Sequence, residues 1–367
     1  MTAPSRTRVA FNSLIPGDDR DDIDAALRRV IDRGWYILGP EVDAFEREFA
    51  AAIGTTHAVG VGTGTDAITL TLRALDIGPG DEVITTPLSA AFSALAIMMA
   101  GARPVFADID PERLTLDPAA TEAAVTSRTR AILPVHLYGQ AADMEAFEAI
   151  ASRHNLALIE DACQAHLATA NGRRVGSIGL AGAFSFYPTK NLGALGDGGA
   201  VTTRDAQLAD RIKRLRNGGQ SSRYHHQEPG ANSRLDELQA AVLRARLPRL
   251  TAWTNRRRAL AATYRRALRD APIGVPALVD EGHVFHLFPV LSDQRERLQQ
   301  HLSGEGIETL IHYPVPISRQ PALSALSPAE CPIAARVCAQ VLSLPIYPLL
   351  ADRDIETVAT AVHSFEV

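Results

Sequence analysis

The sequence predicts an α/β protein: a large domain with a mostly parallel sheet flanked by helices, then a smaller C-terminal α/β domain. Three observations predict it. Through the first half, short apolar runs alternate with amphipathic stretches of helical period, which is the pattern of a parallel sheet wrapped by helices. From 232 to 270 that alternation gives way to one long arginine-rich helical stretch, after which strand and helix patterns resume. The 367 residues suffice for one large core and a second, smaller one.

HAVGV (57–61) reads as the first strand, followed by a glycine-rich turn and a helical stretch over 66–75. EVIT (82–85) is the second strand and leads into a helical stretch ending at Ala100. RPVFADI, AILPVHL and LALIED (156–161) are further strands, separated by helices near Thr121 and over Met144–His154. Two short strands follow around Phe184 and Ala200. The stretch 232–270 is broken by Pro248, which lacks the N–H that a helix interior uses. The domain joint is placed there, giving a large domain over 1–248 and a small one over 249–367. HVFHLFPVL opens the small domain as a strand, and helices are expected over 295–305, 333–343 and 352–363.

Composition excludes several classes of function. Hydrophobic residues make up 46% and charged residues 22%, ordinary values for a soluble globular chain. A formal charge of −5 calls for neither nucleic acid nor an anionic membrane as partner. Arginine is common and lysine very rare, so each lysine stands out. The three cysteines, Cys163, Cys331 and Cys338, fit no disulfide framework and no metal site, and are read as reduced and mostly structural. MTAPSRTRVAF lacks the apolar core of a signal peptide, and no apolar run reaches membrane-spanning length. A cytoplasmic protein is expected.

Four clusters could carry chemistry. GVGTGTDA (60–67) joins a strand to a helix; its glycines admit an anion to the unpaired N–H groups of the helix start, and Thr65 adds a hydroxyl. The plainer reading is a tight turn with a helix cap. A dinucleotide site is disfavoured, because the third glycine of its fingerprint and the later acidic residue are missing. In IEDACQAH (159–166), Asp161 ends a buried strand, at the sheet edge where open α/β folds bind ligands. A carboxylate there can hold a pyridine-type ring nitrogen protonated, and Gln164 can bond a ring oxygen. Alternatively Asp161 caps a helix. In AFSFYPTKNLGALGDGG (183–199), Lys190 sits in an apolar, glycine-rich setting where desolvation frees an amine as a nucleophile. Ser185 can donate to a phosphate; the bland reading of Lys190 is a solvated side chain. In GANSRLDELQAA (230–241), Asn232 is either the N-cap of the following helix or a group that reaches a ligand across a subunit boundary.

These segments, together with RGWYILGPEVDAFEREFA, GDEVITTP, GARPVFADID and PVHLYG, resemble the DegT/DnrJ/EryC1/StrS family of sugar aminotransferases over nearly the whole chain. The resemblance implies the aspartate-aminotransferase-like fold (fold type I) and pyridoxal 5′-phosphate as cofactor. It assigns Lys190 as the Schiff-base lysine and general base, and Asp161 as the carboxylate on the pyridine nitrogen. Gln164 becomes the partner of the ring hydroxyl, and Gly64, Thr65 and Ser185 the phosphate cradle. Asn232 corresponds to an asparagine that reaches the neighbouring subunit's phosphate, which implies a homodimer with shared sites. The donor is L-glutamate or L-glutamine. GWYILGP and IHYP point to a dTDP-linked 3-keto-6-deoxyhexose as acceptor, with Tyr36, Tyr187, His312 and Tyr313 near it. The alternative within the family is a cyclitol aminotransferase that uses glutamine and a keto-inositol. The family's dehydratases carry histidine in place of the lysine, so Lys190 argues against that chemistry.

The chain departs from the family at two places. Ala90 stands where a stacking aromatic is usual, which leaves the cofactor's face to Phe92, two residues on, or to no aromatic. Ser318 stands where the IHYPxPxHxQ segment of enzymes acting at sugar C3 has histidine.

Overall fold

The computed structural model describes residues 9–326 and 328–366, so the first eight residues of the stretch read for a signal peptide lie outside the described residues. Two helices, α1 (Arg20–Arg33) and α2 (Pro40–Ile53), lead into β1 (His57–Val61). Then come α3 (Gly64–Ala74), β2 (Glu82–Thr85), α4 (Phe92–Met99), β3 (Arg103–Phe106), α5 (Pro118–Ala123), β4 (Thr129–Leu133), α6 (Met144–His154) and β5 (Ala157–Asp161). A small hairpin, β6 (Thr169–Ala170) with β7 (Arg173–Arg174), precedes β8 (Ala181–Ser185), β9 (Gly199–Thr203) and α7 (Ala206–Leu215). A second hairpin, β10 (Gln220–Ser222) with β11 (His225–His226), leads to α8 (Glu237–Arg246) and α9 (Leu250–Ala267). The chain ends through β12 (Phe288–Leu291), α10 (Arg295–Gly304), α11 (Pro332–Gln340), β13 (Val341–Leu344) and α12 (Asp352–His363).

Seven strands form one sheet in the order β1-β9-β8-β5-β4-β2-β3. The pairs from β3 to β8 are all parallel, and β9 runs antiparallel to both of its neighbours. Strands such as VGV, EVIT and LIED are buried along their length because helices cover both faces of the sheet. The register brings the ends that matter together: Val61 and Ser185 both pair with Gly199, and Asp161 pairs with Ala183. The ends of β1, β5 and β8 therefore share one sheet edge.

A separate apolar cluster lies in the C-terminal part, where α9, α10 and α12 pack on the antiparallel pair β12–β13 through Tyr264, Leu298, Val358 and Val362. The N-terminal segment joins this part, with Val9 bridging Ile307. Among the described residues no helix is long and apolar enough to cross a membrane.

Three expectations are corrected. The helix expected over 333–343 stops at Gln340, because Val341–Leu344 is extended, fully buried and paired with β12. The helix expected from 232 starts at Glu237; the residues before it are extended, and a short 3-10 turn at Leu247–Arg249, holding Pro248, separates α8 from α9. HVFHLFPVL forms a strand only over its last four residues, Phe288–Leu291.

Candidate active site

The glycine-rich turn after β1 ends at Thr63, whose side chain accepts from the N–H of Asp66 and caps α3. Ala67 N–H bonds the Thr63 carbonyl, while the N–H groups of Gly64 and Thr65, one turn earlier, have no acceptor within the helix. They point outward at a positive helix end. Two glycines allow this geometry. A Cβ on Gly64 would lie 2.7 Å from Cys163 Sγ and 2.8 Å from Ser185 Cβ, and one on Gly199 would lie 2.3 Å from the Thr63 carbonyl oxygen. Ser185, at the end of β8, faces the same turn. The turn is also braced from beneath. Buried Glu46 accepts from Gly60 N–H at 2.8 Å and pairs with Arg216, which donates to the Gly60 carbonyl at 2.7 Å.

Asp161 closes β5 and is buried. No helix follows it, so it is not a helix cap. Its Oδ1 accepts from the Cys163 N–H at 3.1 Å, and its Oδ2 from the Ser93 hydroxyl at 2.7 Å. Gln164 accepts from Tyr138 N–H at 2.8 Å and donates through Nε2 to the Tyr313 hydroxyl at 3.0 Å, leaving one N–H of that amide free. Tyr138 in turn donates its hydroxyl to the His312 carbonyl, and His312 Nδ1 meets Ser343 Oγ at 3.0 Å. His166 fills the space behind, packed against Phe184 and Phe186.

Lys190 follows a turn in which its own N–H bonds the Tyr187 carbonyl. Burial pulls its ammonium below the usual lysine range, against the opposing pull of the Asp161 carboxylate nearby. The Cys163 thiol is pushed well up by burial and by Asp161, and so stays protonated. Burial and the Lys190 charge lower His312 to about 4, and burial raises Tyr313 to about 12, so both are neutral near pH 7.

The structure thus gathers Gly64, Thr65, Asp161, Gln164, Ser185, Lys190, His312 and Tyr313 at one sheet edge. Tyr187 lies beside them, about half exposed. Tyr36 lies in the connection between α1 and α2, 47% exposed and with its carbonyl bonded by Glu237 N–H. Asn232 is exposed on an extended segment, while its neighbour Ser233 turns inward to bond Gly62 N–H and Asp66. It caps no helix; Asp236 holds the N-cap position of α8. Phe92 is 62% exposed at the start of α4, and Ser318 is buried. Ser93, Tyr138 and Thr63 were not singled out in the sequence, and only Thr63, at a turn before a helix, carried a signal.

The residues fit pyridoxal 5′-phosphate. The Gly64 and Thr65 N–H groups at the start of α3 offer donors for a phosphate, and Gly64, with no room for a Cβ, packs that turn against Ser185. A buried carboxylate with one hydroxyl donor suits a protonated ring nitrogen, and a desolvated amine lies within the same cluster.

A sequence model of the DegT/DnrJ/EryC1/StrS aminotransferase family matches residues 18–363. The chain is 52% identical over 335 residues to the dTDP-3-amino-3,4,6-trideoxy-alpha-D-glucose transaminase of Streptomyces venezuelae, covering 90% of this chain and 88% of that enzyme. It is 48% identical over 345 residues to the dTDP-3-amino-3,6-dideoxy-alpha-D-galactopyranose transaminase of Aneurinibacillus thermoaerophilus, covering 94% and 95%. Its fold matches the crystal structure of DesV from S. venezuelae with a TM-score of 0.92 and 51% identity, over 94% of each chain.

Proposed function

Since the chain belongs to the DegT/DnrJ/EryC1/StrS aminotransferase family, we propose that it moves an amino group from L-glutamate onto a dTDP-linked 3-keto-6-deoxyhexose. It is an aminotransferase, and pyridoxal 5′-phosphate is its cofactor. One observation carries the choice of sugar: the two relatives at 52% and 48% identity are both named for an amino group at C3 of a dTDP-linked deoxysugar.

Bound pyridoxal phosphate supplies the carbonyl and the electron sink through which an amino group passes between substrates. The chain's own residues do the rest. Lys190 would hold the cofactor through Nζ and would move a proton between its Nζ and the substrate as general base. The Asp161 carboxylate, oriented by Ser93 and the Cys163 N–H, keeps the ring nitrogen protonated. Gln164, pinned by Tyr138 and Tyr313, offers its free N–H to the ring oxygen. Gly64, Thr65 and Ser185 take the phosphate. Neutral His312 and Tyr313 line the acceptor side, with Tyr187 at the rim.

The working unit is a homodimer in which Asn232 serves the phosphate of the other copy. Its support is the outward placement of Asn232 beside the turn that Ser233 bonds, and Tyr36, exposed in the connection between α1 and α2, falls to the partner's site on the same reading. Residues 1–248 and 249–367 act as large and small domains. The cytoplasm is the compartment that three unpaired cysteines suit.

The test is direct. With L-glutamate and a dTDP-3-keto-6-deoxyhexose, 2-oxoglutarate and the 3-amino sugar should form in equal amounts. Amination of a keto-inositol by glutamine, with no turnover of any nucleotide sugar, would replace this reading by the cyclitol one.

A further inference from the structure

Lys190 lies on a turn, and its amine can act only where that turn holds it. Four polar side chains stand on the turn: Tyr187, Thr189, Lys190 and Asn191. Among the described residues, Asn191 is the one of the four whose side chain hydrogen-bonds the rest of the protein. It is also the buried one, 6% exposed, while Tyr187 beside it is about half exposed.

The amide reaches 93 and 95 residues along the chain. Its Nδ2 donates to the Val284 carbonyl at 3.1 Å, and its Oδ1 meets His286 Nδ1 at 3.2 Å. The partners fix each other's state. A carbonyl only accepts, so the amide nitrogen faces Val284 and the amide oxygen faces the ring. Burial first, and then the Lys190 charge, hold protonation of the His286 ring well below the ordinary histidine range, so the ring is neutral. Its single N–H must then sit at Nδ1, where Oδ1 accepts it.

The segment that receives Asn191 is itself anchored. Val284 N–H bonds the Gly139 carbonyl at 3.0 Å, and a Cβ on Gly139 would lie 2.8 Å from Val284 Cγ2. Arg257 Nη1 donates to the carbonyls of Phe285 at 3.2 Å and His286 at 3.4 Å. Two residues after His286 the chain enters β12. The far end of the lysine loop is tied elsewhere, Gly193 by Arg246 at 2.6 Å and Leu195 by Gln239 at 2.8 Å. Asn191 is thus the side-chain tie next to the amine, and it joins Lys190 to the lead into the C-terminal part.

We propose that Asn191 is a positioning residue for Lys190, holding the amine where it takes a proton from the amino donor. The inference rests on the aminotransferase reading with Lys190 as base, and deepens it. In that step the donor's Cα–H bond breaks and an N–H bond forms at Nζ. The bonding pair left on carbon passes into the ring that Asp161 keeps protonated. Such a transfer is steep in distance, and misplacement by about one ångström costs on the order of a hundredfold in rate.

The experiment follows single turnovers of cofactor-loaded enzyme as L-glutamate bleaches its yellow colour, in wild type, Asn191→Ala, His286→Phe and His286→Asn. A single-turnover rate constant does not depend on how many molecules are folded, so a merely structural loss lowers the amplitude alone. For Asn191→Ala the limiting rate constant should fall at least about tenfold, with half-saturating glutamate within about twofold of wild type. Glutamate deuterated at Cα should slow this variant at least as much as it slows wild type, because the slowed step is the proton transfer. His286→Phe removes the donor to Oδ1 and should lower the rate constant in the same way. His286→Asn keeps a donor at the Nδ1 position and should recover part of the loss. An unchanged rate constant, a rise in half-saturating glutamate alone, or a slower turnover whose isotope effect collapses towards unity would each overturn the proposal. If Asn191→Ala fails to fold or to take up cofactor, His286→Phe decides by the same readings. Turnover by wild type and its loss in Lys190→Ala test the underlying reading separately, so these failures strike Asn191 alone.

Discussion

Asp161 and Lys190 owe their chemistry to where the backbone leaves them. Asp161 terminates a buried strand with both oxygens engaged, one by a backbone N–H and one by Ser93, so its carboxylate is oriented before any ligand arrives. Asp161→Asn keeps the shape but cannot hold a ring nitrogen protonated. Turnover should fall by two orders of magnitude or more, on the scale of a lost electrostatic partner, with the cofactor still retained by the untouched cradle. Activity near wild type in a coloured Asn variant would contradict the assigned role. Lys190 gives a pH prediction. Burial disfavours its ammonium, so the folded state loses the proton at lower pH than the unfolded chain does. The free amine should therefore be available below the ordinary lysine range, near about 10.4. The rate at which cofactor-free enzyme takes up pyridoxal phosphate should rise with pH and level off below that value. A midpoint at or above it would show an ordinary, solvated lysine. The residues alone made Asp161 and Lys190 candidates, one at the end of a buried strand and one in an apolar, glycine-rich setting, and the resemblance to the family gave them their expected roles. Ser93 was not legible: its partner lies 68 residues away, and nothing around a lone serine marks it.

At the scale of elements, the strands β1 to β5 and the helices α6 and α12 could be read directly, since buried parallel strands appear as unbroken apolar runs between amphipathic stretches. The failures have specific causes. VLSL at 341–344 continues the apolar spacing of α11, and only its pairing with β12 makes it a strand. The late start of α8 depends on Glu237, an acid whose spacing fits an exposed helix but which is fully buried. Its carboxylate accepts from the N–H groups of Gly39 at 2.9 Å, Glu41 at 2.9 Å and Val42 at 2.8 Å, closing the open end of α2 from 198 residues away. Glu237→Ala strands those three donors. It should destabilise the protein by on the order of 3 kcal/mol, with Glu237→Gln losing less because the amide keeps one acceptor. Denaturant unfolding measures both, and a loss below about 1 kcal/mol for the alanine variant would mean that water replaces the carboxylate.

At the scale of the whole molecule, the question is whether one chain holds a complete site. Asn232 and Tyr36 are both exposed here, which the shared-site reading explains by a second copy. Complementation decides it. A Lys190→Ala chain is paired with an Asn232→Ala chain at a cofactor concentration where neither homodimer works. Shared sites put both defects in one site and none in the other, so activity should approach half of wild type per heterodimer. If mixing restores nothing, each chain builds its own site. The central claim, that Lys190 is the covalent anchor of the cofactor, has a direct test of its own, aided by a sequence whose only other lysine is Lys213. The loaded enzyme is reduced with borohydride, which fixes the link between the cofactor and the amine that holds it, and the peptides are mapped by mass. The phosphopyridoxyl group should be found on Lys190 in near-stoichiometric yield with Lys213 unmodified. A label on Lys213, or none on either lysine in protein that was yellow before reduction, would contradict the account.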